Sequence, residues 1–124
     1  MHILIGVVVI FAVVALMSYM ASKSAPEDVV LDALKSGAKI IDVRTAREFA
    51  SGHYPGAINI PVNQLGAHVK KLGDPSKAIV MYCHSGMRSG SAMKTLKKKG
   101  FSSAINAGSY QRIMQITANK KKQK

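Results

Sequence analysis

The sequence predicts an α/β domain, a parallel sheet flanked by helices, preceded by an N-terminal transmembrane helix. Three observations carry this expectation. From Pro26 onward, short β-branched runs alternate with stretches of helical periodicity, the pattern of strands joined by crossover helices. Turn residues separate them at Gly52, Pro55-Gly56, Pro61, Gly73 and Asp74-Pro75. Ahead of them, Ile3 to Met20 is an almost unbroken apolar run, relieved only by Gly6, Ser18 and Tyr19. The organisation expected is an anchor over 1–22, one folded domain over 23–119 and a basic tail over 120–124.

The elements follow in order. Ser22 to Ala25 reads as a linker. Ser24, with Glu27 three residues on, fits a capping box for a helix with Pro26 in its first turn. Val29, Val30, Ala33 and Leu34 keep helical spacing, and Gly37 ends that helix. Lys39 to Val43 reads as a buried strand, Thr45 to Ala50 as a short helix, Ala57 to Ile60 as a strand and Val62 to Leu72 as a helix. Ala78 to Tyr82 is the most apolar strand. A helix over Arg88 to Lys99, a strand around Ser103 to Asn106 and a helix from Tyr110 to Thr117 complete the chain. Strands in this alternation form a parallel sheet covered on both faces.

The apolar run is about long enough, at roughly 1.5 Å per residue, to cross a hydrocarbon core of roughly 30 Å. A cleaved secretory signal is the alternative. It would carry positive charge ahead of the run, where this chain has only Met1 and His2. Every Lys and Arg lies on the C-terminal side, beginning with Lys23, so the expected placement is a single-pass inner-membrane protein with a cytoplasmic domain. A periplasmic domain is the alternative. The net charge of +12, from 18 basic and 6 acidic residues, gathers at Lys94, Lys97 to Lys99 and the tail. Neither cluster has interleaved aromatics or a nucleic-acid module around it, so no nucleic-acid partner is expected. A basic surface beside an anchor instead suits anionic headgroups.

Cys83 is the only cysteine, so an internal disulfide is excluded. It ends the most apolar strand, where ligands sit in open α/β sheets. Ser85, Gly86 and Ser89 suit a tight loop feeding the helix that begins near Arg88. Such a loop turns backbone N–H groups inward at a helix N-terminus, and a thiolate there is stabilised by those groups and by Arg88. A nucleophilic sulfur in such a cradle can take up an electrophilic sulfur and hold it as a persulfide. The bland alternative is a buried inert cysteine. A cysteine phosphatase is the other rival. It would place five residues between nucleophile and arginine, whereas His84, Ser85, Gly86 and Met87 make four, and the position it needs is Ser89.

Two separate motifs resemble the rhodanese-homology family from about Pro26 to Tyr110. The first is Asp42-Val43-Arg44 with Glu48-Phe49 and then Gly52-His53-Tyr54-Pro55-Gly56-Ala57-Ile58-Asn59-Ile60-Pro61. The second is the loop Cys83-His84-Ser85-Gly86-Met87-Arg88-Ser89, including the six-residue length of the sulfurtransferase branch. The resemblance implies that Cys83 carries the sulfur, that the backbone from His84 to Arg88 cradles the persulfide, and that Asp42 and Arg88 fix the loop. Arg44 and Arg47 are weaker candidates. A buried Asp42 needs a partner; Arg88 is a natural one, and local pairing with Arg44 is the alternative. His53 is read as structural, His84 as a pocket-mouth residue and His68 as surface.

The chain departs from the family in reading Ala107-Gly108-Ser109-Tyr110 where two glycines and often a tryptophan are usual, and Ser109 is expected to narrow the pocket. The usual strand before the first helix is replaced by the linker. The expected activity is that of a rhodanese-type sulfurtransferase, moving sulfane sulfur from thiosulfate or a related donor to an acceptor protein thiol or a small thiophile. No metal or organic cofactor is expected. The rivals are a membrane-anchored docking module with an incidental cysteine, and a phosphatase or arsenate reductase on the same fold.

Overall fold

Ile79, Val80, Met81, Tyr82 and Cys83 form β3, a strand whose every residue is buried. A run this apolar needs cover on both sides and obtains it from two helical layers. The computed structural model describes the backbone of residues 1–122 and the side chains of 1–17 and 23–121, so Lys124 of the expected tail lies outside the described residues.

The elements are α1 (His2–Ser22), α2 (Glu27–Lys35), β1 (Lys39–Asp42), α3 (Ala46–Ala50), β2 (Ile58–Asn59), a 3-10 segment (Val62–Leu72), β3 (Ile79–Cys83), α4 (Met87–Lys98), β4 (Ala104–Ser109) and α5 (Tyr110–Lys122). The strands are all parallel, in the order β2-β1-β3-β4. Alternation along β3 divides the core. Ile79, Met81 and Cys83 face Leu65, Leu72, Met93 and Leu96 of the 3-10 segment and α4. Val80 and Tyr82 face Val30 and Ala33 of α2 and Ile113 and Ile116 of α5. Each fully buried side chain such as Leu96 or Ile41 stabilises the fold by roughly 1.5–3 kcal/mol.

The parallel sheet with helices on both faces is as the sequence predicts; the transmembrane helix is not. Among the described residues no helix is long and apolar enough to cross a membrane. The expected anchor is therefore corrected, and with it the single-pass inner-membrane placement and the membrane as a partner.

Three local differences bear on the site. The capping box of Ser24 and Glu27 does not form: Pro26 stands at the helix N-cap without a side-chain hydrogen bond. Ser24 instead lies against Gly86 and Gly108. The linker takes the place of a first strand, with Ala25 N–H donating to the Asn106 carbonyl at 2.8 Å. Arg112 clamps it there, donating to the Ala25 carbonyl at 2.6 Å and the Ala107 carbonyl at 2.8 Å. Val62–Leu72 is wound as a 3-10 helix broken at His68, where Gly66 and the β-branched Val62 and Val69 weaken the α form. Finally β4 runs on to Ser109, because a bulge between Asn106 and Gly108 lets pairing with Tyr82 and Cys83 resume.

Candidate active site

Cys83 closes β3 at the carboxyl edge of the sheet, and Gly86 makes the turn that starts α4. Its φ of 94° lies in the left-handed region that favours glycine. That turn directs the loop's N–H groups back at the sulfur. Gly86 N–H donates to Cys83 Sγ at 3.0 Å and Ser89 N–H at 3.4 Å, while Ser89 Oγ lies at 3.5 Å. Burial pushes the thiol up, but the Ser89 hydroxyl and the N–H groups of Ser89, Gly86 and Ser85 outweigh it and hold the thiol below its ordinary value. The sulfur is buried, whereas His84, Ser85 and Met87 around it are exposed, Met87 by 81%.

Arg88 does not reach Asp42. Its two terminal nitrogens donate to the two Glu48 oxygens at 2.7 and 2.9 Å, a bidentate clamp from the active-site loop to α3. Glu48 also completes a capping box with Thr45. The Arg88 hydrogen bonds, with that of Thr45 N–H, hold its carboxyl down at about 2. Asp42 takes the local alternative. Its carboxylate accepts from Arg44 N–H at 2.9 Å, from Arg44 Nε at 3.0 Å and from Nη2 at 2.7 Å. Tyr82 O–H donates to the same carboxylate at 2.7 Å and accepts from Tyr54 N–H at 2.9 Å.

Arg44 also donates to the Gly52 carbonyl at 2.7 Å and lies over the Tyr110 ring at 4.8 Å. The Asp42 hydrogen bonds raise its pKa further above its ordinary value. Asp42 and Arg44 thus brace the Gly52-to-Pro55 turn from beneath, and the loop's own brace is Glu48. His53 donates from Nδ1 to the Phe49 carbonyl at 2.9 Å and stacks on the Phe49 ring. Ser109 Oγ accepts from Arg112 N–H at 3.0 Å and so caps the start of α5.

Three residues at the site escape sequence reasoning in these roles. Glu48 is paired across 40 residues with Arg88, and Tyr82 across the same separation with Asp42, distances at which no local spacing signals a contact. Asn106 sits behind the loop, its Nδ2 donating to the Gly86 carbonyl at 3.2 Å and its Oδ1 accepting from Gly108 N–H at 2.9 Å. A buried polar residue amid the apolar strand Ala104–Ser109 is the signal that would have found it. Among the described residues no group of His, Cys, Asp and Glu is arranged to hold a metal ion.

A fold with a cradled cysteine between β3 and α4 defines a class of protein, and comparison with known proteins gives the family. The chain matches the rhodanese-like domain over residues 27–115 and belongs to that family. It is 33% identical, over 55% of its length and 66% of the relative's, to the thiosulfate sulfurtransferase PspE of Escherichia coli. It is 39% identical, over 54% of its length, to the putative sulfur carrier protein YrkF of Bacillus subtilis, of which it spans 36%. Among solved structures, the human single-domain sulfurtransferase TSTD1 superposes with a TM-score of 0.63 at 29% identity, covering 77% of this chain and 96% of that one. The rhodanese-type sulfurtransferase class expected from the loop is the one for which PspE and TSTD1 are named.

Proposed function

We propose that this chain moves sulfane sulfur from thiosulfate or a related donor to a thiophilic acceptor through a persulfide on Cys83. The observation that carries the reading is the cradle: two backbone N–H groups lie within 3.4 Å of a buried sulfur that is held more acidic than an ordinary thiol. The Cys83 thiolate attacks the outer sulfur of thiosulfate. A new S–S bond forms to Sγ, the S–S bond of thiosulfate breaks, and sulfite leaves with its electron pair. The negative charge then rests on the terminal sulfur, where N–H groups of the loop from His84 to Arg88 stabilise it. An acceptor thiolate attacks that terminal sulfur and restores the Cys83 thiolate. Neither step changes a metal or cofactor oxidation state.

Cys83 is the nucleophile in this reading, and Ser85, Gly86 and the backbone of His84, Met87 and Arg88 form the cradle. Arg88 sets the loop through Glu48, while Asp42 and Arg44 hold the adjacent turn. The exposed Met87 and His84 flank the place an acceptor must approach. The sulfur-carrier and sulfurtransferase names of the relatives support the same chemistry. The test is the intact mass of the full chain after incubation with thiosulfate, with Cys83→Ser as control. A gain of one sulfur atom, removed by reductant and absent in the variant, is expected. A folded protein with a reactive thiol and no gain refutes thiosulfate as donor.

A further inference from the structure

The Ser89 hydroxyl has one proton and several acceptors. Its Oγ lies 2.6 Å from Asn106 Oδ1, 3.1 Å from the Gly86 carbonyl oxygen, 3.5 Å from the Gly108 carbonyl oxygen and 3.5 Å from Cys83 Sγ. The Asn106 amide is not free to flip. Gly108 N–H donates to its Oδ1 at 2.9 Å and its Nδ2 donates to the Gly86 carbonyl at 3.2 Å, so reversal would set donor against donor and acceptor against acceptor. The 2.6 Å contact can therefore only be Ser89 O–H donating to Asn106 Oδ1. Ser89 and Asn106 are both buried, which keeps water from supplying a second donor or acceptor cheaply.

We propose that Asn106 competes with the Cys83 sulfur for the Ser89 proton and releases it to the sulfur only as negative charge develops there. With Cys83 a neutral thiol, the chain runs S–H to Ser89 Oγ and Ser89 O–H to Asn106 Oδ1. When the thiol proton leaves to solvent, Ser89 keeps its own proton. The hydroxyl then rotates about its C–O bond, because a charged acceptor makes a hydrogen bond roughly twice as strong as a neutral one. No heavy-atom bond changes. Asn106 is thus a positioning residue that opposes ionisation of the resting thiol, acting through Ser89.

The sign separates this from simple support of the loop. If Asn106 only braced Gly86, its loss would loosen the cradle and make the thiol less acidic. Competition predicts the opposite. In the full chain, Asn106→Ala should raise the rate of iodoacetamide alkylation of Cys83, measured below the thiol's pKa, by about three- to tenfold, the fold-change of one net hydrogen bond. In a Ser89→Ala background the same substitution should give no gain. An unchanged or slower rate in the single variant, or an equal gain without the Ser89 hydroxyl, overturns the proposal.

Should Asn106→Ala not fold, the S–H stretching band of the parent chain and of Ser89→Ala decides. The band is expected to lie at a hydrogen-bonded frequency and to move to the free-thiol position in Ser89→Ala; a band that does not move refutes the arrangement. The consequence for catalysis rests on Cys83 being the sulfur carrier, but both readouts are taken without any donor. A chain that shows the Asn106-dependent profile and takes up no sulfur would refute the transfer reading alone.

Discussion

Replacing Asp42 by Asn tests the buried network beneath the Gly52-to-Pro55 turn. The substitution keeps the shape of a side chain that is 0% exposed but removes its charge and turns one acceptor oxygen into a donor facing other donors. The Arg44 guanidinium, paired to Asp42 at 2.7 Å with 6% of its side chain exposed, loses its counter-charge. Breaking one partner of a buried pair costs about 3–5 kcal/mol, against a total domain stability of roughly 5–15 kcal/mol. Urea unfolding at neutral pH should show that loss in the midpoint with little change in slope. Adding Arg44→Met removes the stranded charge, so the double variant should be more stable than the sum of the singles by about 2 kcal/mol. Additivity of Asp42 and Arg44 within about 0.5 kcal/mol, or a coupling of Asp42 with Arg88→Met instead, would refute the assignment of partners.

Glu48, held at about 2 against an ordinary value of 4.5, contributes stability that is fully present above its unfolded pKa and is lost as pH falls through the folded one. The window is therefore pH 4.5 down to about 2. Because about a third of each side chain is exposed, the effect is about 1 kcal/mol. Acid unfolding of Glu48→Gln should lack that component, and an identical pH profile would refute the clamp. Gly86→Ala puts a Cβ at φ 94° and 3.3 Å from Gly108 Cα. A loss of about 1–2 kcal/mol and a displaced cradle are expected, read as a lower urea midpoint together with slower alkylation of Cys83; a change in midpoint alone would show that the loop's N–H groups are not set by this turn.

The sheet was legible because its signals are local. The run Ile79 to Tyr82 has no polar break, and the turns flanking it carry glycine and proline. The loop was legible for the same reason, since Cys83, Gly86 and Arg88 fall within six residues. Its bracing was not. Asp42 had two arginines within plausible reach, and nothing in linear spacing ranks a neighbour two residues away over one 46 residues away. The fold decides by geometry: α3 brings Glu48 to Arg88, which leaves Asp42 to Arg44 and Tyr82. The capping box predicted at Ser24 failed for a similar reason. Its motif competes with a tertiary position, and Arg112 draws the linker across β4 before the helix begins.

That displaced linker accounts for how the chain tolerates its departure from the family at Gly108-Ser109. A Cβ on Gly108 would meet Ser24 Oγ at 2.8 Å and Arg112 Cδ at 3.2 Å, and φ there is 94°, so this glycine is required by the linker and the bulge together. The neighbouring position carries no such demand. Its side chain caps α5, where Arg112 N–H needs an acceptor. The second position can therefore carry serine, whose hydroxyl has a partner in α5. Arg112, fixed by α5, in turn holds the linker whose Ser24 packs on Gly108. Ser24, Gly108 and Arg112 are thus one structural unit, and Gly108 is joined to Cys83 through the hydrogen bonds of Asn106 and Ser89.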